Sequence, residues 1–131
     1  MSEHPNAALL RKGYAAFGSG DMATVDALFA DDVVWHVAGR SPIAGEHKGK
    51  EQVFGTFFAA LGERSGGTFT IELDYIVADD AHAVAMVRHS ASHGGRTLAT
   101  RDVDVYTIRD GRIVEAWSTG FDPYENDAFW A

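Results

Sequence analysis

The chain has no cysteine. Disulfides, thiolate nucleophiles and thiol-ligated metal sites are therefore excluded. No apolar run approaches the length of a membrane span, and no charged-then-apolar leader opens the chain. A cytoplasmic location fits these absences. Basic residues are scarce: 11 Lys and Arg face 19 Asp and Glu, for a formal net charge of -8. An acidic chain repels phosphate backbones, so nucleic acid is not an expected partner. Repeats, low-complexity segments, domain linkers and long runs of like charge are absent too.

What is present is the composition of a soluble globular protein. Hydrophobic residues make up 46% and charged residues 23% of 131 residues, which suits one domain over residues 1–131 with one core. Pro5 precedes a helical pattern in which Leu10, Tyr14 and Phe17 recur at i, i+4 and i+7, up to Gly18-Ser19-Gly20. Asp21 is a good N-cap for a short second helix carrying Val25, Leu28 and Phe29. Asp31-Asp32 ends it, and Val33 to Val37 reads as a strand. A loop follows to Gly49, with Glu46 and His47 expected in solvent and no phosphate-loop spacing among its glycines. A third helix spans about Lys50 to Gly62, with Val53, Phe57 and Leu61 at helical spacing.

From Thr68 onward the pattern changes to strand, turn, strand. Strands are expected over 68–78, 81–93, 96–108 and 112–119, turning at Asp79-Asp80, Gly94-Gly95 and Asp110-Gly111. Helices first and a meander of strands after predict an α+β fold, three helices packed on one face of a curved antiparallel sheet. Two-residue turns fix register. Around Gly94-Gly95, His89 faces Thr100, Val87 faces Asp102 and Ala85 faces Asp104. Around Asp110-Gly111, Ile108 faces Ile113, Tyr106 faces Glu115, Asp104 faces Trp117 and Asp102 faces Thr119. One face then carries His89, Asp102, Asp104, Tyr106, Trp117 and Thr119, and looks inward under the helices. The other carries small and β-branched residues, Ala116 and Ser118 among them, as a sheet-to-sheet dimer contact would.

Asp104 beside the Trp117 indole loses hydration, which raises its pKa and suits an acid, a base or a neutral hydrogen-bond donor. Asp102 lies nearer the rim, with His89 diagonal to it. His36 is a base poised near neutral pH, but Trp35 and His36 point to opposite faces, so only one lines a pocket. Tyr14, Phe17 and Phe57 are core residues or pocket floor. No motif fixes a third ligand beside His89 and His93, so no metal is expected.

The stretches "YAAFGSGDMATVDALFADDVVWHVAG", "GKEQVFGTFF" and "VDVYTIRDGRIVEAW" resemble the nuclear transport factor two-like superfamily. Within it they look most like the SnoaL-like polyketide cyclases and ketosteroid isomerase relatives, over about Asn6 to Trp130. The resemblance implies a cone-shaped α+β barrel with a pocket at its open end, commonly a homodimer. It places Asp104 where ketosteroid isomerases keep a carboxyl neutral to donate a hydrogen bond. The isomerase's oxyanion tyrosine falls by count at Gly13, with Tyr14 next to it. Its base strand has no carboxylate here, and His36 is the nearest ionisable group.

The expected function is thus cofactor-independent acid/base work on a small hydrophobic carbonyl compound, by isomerisation or aldol-type cyclisation. His36 is the expected base and Asp104 the acid or oxyanion donor, in a pocket shaped by Tyr14, Phe17, Trp35, Phe57, His89, Asp102 and Trp117. Two alternatives stand beside it: a non-catalytic dimer that binds a hydrophobic ligand, and an epoxide-type hydrolase holding water between Asp102 and Asp104.

Overall fold

The fold comes from a computed structural model that describes residues 3–131. Helix α1 (Pro5–Ser19) starts with proline, whose missing N–H is not needed there, and the His4 side chain accepts the Asn6 N–H. Gly20 ends the helix at φ 78°, returning its N–H to the carbonyls of Ala16 and Phe17. Asp21 caps α2 (Met22–Ala27), as its side chain suggested. That helix stops short of Phe29, which begins strand β1 (Phe29–Val37). Asp31-Asp32 therefore lies within a strand and does not end a helix.

The stretch expected as loop contains a strand, β2 (Gly45–Lys48), paired antiparallel with β1. His47 is consequently buried and not in solvent. Its Nε2 bonds the Ile43 carbonyl at 2.8 Å, and its ring stacks on Phe57. The third helix is present but is not uniform. It runs as α3 (Gly49–Gln52), a π-helical turn (Val53–Phe58) and α4 (Ala59–Arg64). The wider turn gathers Phe54, Phe57 and Phe58 against Phe29 and Trp35.

Four long strands follow: β3 (Thr70–Ala78), β4 (His82–His93), β5 (Arg96–Arg109) and β6 (Arg112–Gly120). The sheet order is β2-β1-β6-β5-β4-β3. Every pair is antiparallel except β1 with β6, which is parallel, so the sheet is mixed where the sequence suggested a purely antiparallel one. A last helix, α5 (Pro123–Trp130), was not anticipated. Asp122 caps it by accepting the N–H groups of Tyr124 and Glu125, and it buries Phe129 and Trp130. The core lies between the helices and the concave sheet face, with Leu10, Val33, Val53, Val87, Leu98 and Ile113 at its centre. Among the described residues, no helix is long and apolar enough to cross a membrane.

The Gly94-Gly95 hairpin has the predicted register, from His93 opposite Arg96 to Ala85 opposite Asp104. The Asp110-Gly111 hairpin does not. It starts as expected at Arg109–Arg112 and Ile108–Ile113, then a bulge in β6 adds one residue and Thr107 pairs with Glu115. From there the partners move by one: Asp104 faces Ser118, and Asp102 faces Gly120. A one-residue slip exchanges the faces of a strand. Ala116 and Ser118 therefore turn inward, while Trp117, at 38% exposure, and Thr119 turn outward. The predicted Asp104–Trp117 adjacency does not exist.

The bulge has a simple stability test. Ala116 is fully buried and Thr119 exposed. Ala116→Leu is expected to overpack the core and cost about 1–3 kcal/mol, whereas Thr119→Leu changes stability by about 0.5 kcal/mol or less. Urea denaturation of both variants checks this; an unbulged strand would reverse the order.

Candidate active site

Between the helices and the concave sheet lies a cavity of about 830 Å³, its open mouth included. Its walls are aromatic: Phe17, Trp35, Phe57, Phe58, Phe69 and Trp130. Its polar groups come mostly from the alternating inward positions of β4, β5 and β6, with Tyr14 supplied by α1. Trp35, not His36, is the member of that pair that lines it.

Asp104 is at the centre, 3% exposed. Ser118 Oγ donates to its Oδ1 at 2.7 Å, and Tyr14 Oη donates to its Oδ2 at 2.5 Å. Tyr106 Oη lies 2.6 Å from Tyr14 Oη and 3.4 Å from Asp104 Oδ2. Trp35 Nε1 donates to Ser118 Oγ at 2.8 Å. This chain has a direction. An indole N–H can only donate, so Ser118 must accept from Trp35 and spend its single proton on Asp104 Oδ1. Oδ1 is thereby fixed as an acceptor. When Asp104 is protonated, the proton sits on Oδ2, toward Tyr14. Tyr14 then accepts from the acid and turns its own proton to Tyr106 or to a ligand.

Burial pushes the Asp104 carboxyl up from its ordinary value. The nearby His89 and the Tyr14 and Ser118 hydrogen bonds pull against this, and Asp102 adds to it. Desolvation also pushes Tyr14 and Tyr106 well above the usual phenol range, with the Asp104 charge adding to it. Asp104 thus keeps its raised pKa without the Trp117 indole, because enclosure by tyrosines and core supplies the dry environment.

Beside this cluster is a second one. Thr100 Oγ1 donates to Asp102 Oδ1 at 2.8 Å, and His89 Nδ1 lies 3.6 Å from the same oxygen. Phe69 packs its edge on the His89 ring at 5.0 Å. Of the predicted residues, Tyr14, Phe17, Trp35, Phe57, His89, Asp102 and Asp104 all line the cavity. His36 and Trp117 do not. Both lie on the outer sheet face, their rings stacked at 5.2 Å and 13°. His36 Nε2 reaches Glu115 at 2.6 Å, and Nδ1 lies 3.4 Å from Glu46. It has carboxylate partners and no path to the cavity, so it is not the base of this site. Tyr14, one residue from the expected oxyanion position, is the residue that points inward; Gly13 backs onto Leu28. Ser118 and the α5 residues Asn126, Asp127 and Trp130 were missed. The Asp122-Pro123 cap was the available signal for α5; the β6 bulge left none for Ser118. Among the described residues, no group of three or more His, Asp or Glu side chains is spaced to hold a metal ion.

Residues 10–116 match the family model described as a SnoaL-like domain. The chain belongs to the SnoaL-like family. It is 32% identical to the uncharacterized protein Rv0034 of Mycobacterium tuberculosis, with all of both chains covered. Among solved structures it is similar to Bal32a, from a soil-derived mobile gene cassette, at 38% identity and a TM-score of 0.92 over 96% of each chain. A Xanthomonas campestris protein with a cystatin-like fold is 31% identical, with a TM-score of 0.89 over 98% of this chain and 99% of that one. Family membership carries the cone-shaped fold and suggests small-molecule chemistry of the isomerase or cyclase type.

Two measurements test the network of this SnoaL-like protein. Ser118→Ala removes a donor to the ionised carboxylate, so Asp104 is expected to titrate higher than in the wild type, while Ser118→Thr restores it; carbon NMR of labelled aspartate reads both. The second concerns stability. A raised carboxyl pKa favours folding below the ordinary 3.8, and that contribution is lost as pH rises through the raised value. Asp104→Asn is therefore expected to gain stability relative to the wild type across that interval, with no further gain above it. Thermal melts over a pH series check the sign.

Proposed function

We propose that this protein is a cofactor-independent acid/base enzyme. It moves a proton next to the carbonyl of a small hydrophobic molecule, in an isomerisation or an aldol-type cyclisation. The observation that carries the reading is the pairing, in one apolar cavity, of a buried Asp104–Tyr14–Tyr106 cluster with a His89–Asp102 pair. The two clusters have different chemistry. Tyr14, backed by the Asp104 carboxyl, offers an O–H donor, and burial raises the pKa of both, which suits a developing enolate oxygen. His89, oriented by Asp102, is the ring nitrogen base that takes the proton from carbon. His89 takes the role expected of His36. Epoxide hydrolysis has less support, since Asp102 and Asp104 each hold donors of their own and no Arg bridges them.

The partner in this reading is a second copy, docked through the outer sheet face. Val84, Met86, Val103, Val105 and Val114 are half-buried there, with Trp117 exposed among them. Val105→Glu is expected to shift the protein to monomer in sedimentation.

β-Tetralone, a hydrophobic ketone with acidic α-protons, serves as the catalytic probe. Exchange of those protons in deuterium oxide is expected to be catalysed by the wild type. His89→Gln and Asp104→Asn should each lower the rate by about 10²–10⁴-fold, and His36→Gln by less than about twofold. Full exchange by both of the first two variants would overturn the mechanism.

A further inference from the structure

The cavity is bare of fixed positive charge. Besides Tyr14 and Tyr106, the ionisable groups among its lining residues are Asp102, Asp104, Asp127 and His89, with no Lys or Arg. Two arginines near its wall act elsewhere: Arg64 donates to the Trp130 carbonyl and Arg96 to the Ala131 carbonyl. A carboxylate or phosphate entering this space would lose its hydration and find three carboxyl groups. The cavity is thus built against anions, and two further features say what it is built for.

One is an unused carboxylate oxygen. Asp102 is 95% buried, yet only its Oδ1 has partners, Thr100 and His89. Among the described residues, Oδ2 takes no hydrogen bond. Asp102 lines the cavity, and the space over Gly120 next to Oδ2 is taken by the Asn126 amide. A Cβ on Gly120 would stand 3.3 Å from Asp102 Oδ2 and collide with the Asn126 amide. Gly120 is needed for that close approach of Asn126, since its own backbone is not in the left-handed region. The second feature is the wall beside Asp102. Phe69 packs on His89 at 5.0 Å and on Trp130 at 5.7 Å, so aromatic rings border the opening. Ring faces attract cations and supply no counter-charge to anions. At the mouth, Asp127 Oδ1 is fixed by the N–H groups of Arg40 and Ser41, which holds a second carboxylate at the entrance.

We propose that the substrate of this cavity carries a protonated amine on its hydrophobic ring body, with the ammonium received by Asp102 Oδ2. This inference rests on the reading of the cavity as a small-molecule site and names the class of molecule it takes. The ammonium is compensated by a buried carboxylate and aromatic faces, while the ring body fills the apolar remainder. Asp127 sets the sign of the field at the entrance and attracts cations before they dock.

The test compares three probes with one body and three charges: naphthylmethylamine, naphthylmethanol and naphthoate, titrated by calorimetry at neutral pH. The amine is expected to bind at least about tenfold tighter than the alcohol, with the carboxylate weakest. Asp102→Asn should erase the preference for amine over alcohol and leave alcohol binding in place. Asp102→Ala, which removes the carboxylate without adding an amide, should do the same if Asp102→Asn does not fold. Naphthoate binding as tightly as the amine, an alcohol equal to the amine, no binding by any of the three, or a preference that survives both variants would overturn the inference. The acid/base reading fails separately. A protein that exchanges β-tetralone but does not favour the amine loses only this inference; one that favours the amine but exchanges nothing loses only the catalytic mechanism.

Discussion

The extra residue in β6 decides which side chains the cavity sees. Past the bulge, Ser118 faces Asp104 and Trp117 leaves for the outer surface. The effect extends to β1, because β1 pairs in parallel with the shifted part of β6. Trp35 lies beside Ala116 and His36 beside Trp117. Side chains of neighbouring strands at paired positions share a face, so the bulge sends Trp35 inward and His36 outward together. The Ser118 donor to Asp104 Oδ1, the inward Trp35 and the removal of His36 from the site all follow from that one insertion.

Asp104 is the group this arrangement serves. A buried carboxyl without partners would be strongly destabilising, and a fully partnered one specifies where its neighbours must sit. Here the partners come from separate parts of the chain: Tyr14 from α1, Tyr106 from β5, Ser118 from β6 and, behind Ser118, Trp35 from β1. Each is held by its own packing. Tyr14 and Tyr106 meet edge to face, and Trp35 is wedged among Phe29, Phe57 and Phe58. The acid end of the site is therefore rigid through aromatic contacts, with few polar groups to compete for its protons.

Much of this was legible in the sequence. Pro5, Asp21 and Gly20 marked helix ends through local chemistry, and Gly94-Gly95 fixed a register that put His89, Asp102 and Asp104 on one face. The second hairpin misled because its bulge falls at Ile113-Val114, two apolar β-branched residues in succession. Such a pair carries no alternation, so hydrophobic pattern alone does not reveal the slip. His47 misled for another reason. A polar residue in a Gly-flanked stretch reads as loop, while its burial depends on pairing with β1 and stacking on Phe57, both tertiary. The count that put the oxyanion position at Gly13 is off by one, and helix geometry is the better guide: Gly13 packs closely on Leu28 and leaves Tyr14 to face the sheet.

The parallel pairing of β1 with β6 also bears on the order of assembly. β3 to β6 are joined by short turns, so their contacts close small loops at little entropic cost. Trp35 beside Ala116 instead joins distant parts of the chain, with the third helix and four strands between them. Contacts of that kind form slowly, after local ones have reduced the cost of closure. The indole-to-Ser118 bond that orients Asp104 is thus among the last features to appear as the chain folds. A partly folded molecule would have its meander and its acidic residues in place but no directed proton. The orientation of the Asp104 carboxyl and the closure of the sheet thus rest on one long-range contact.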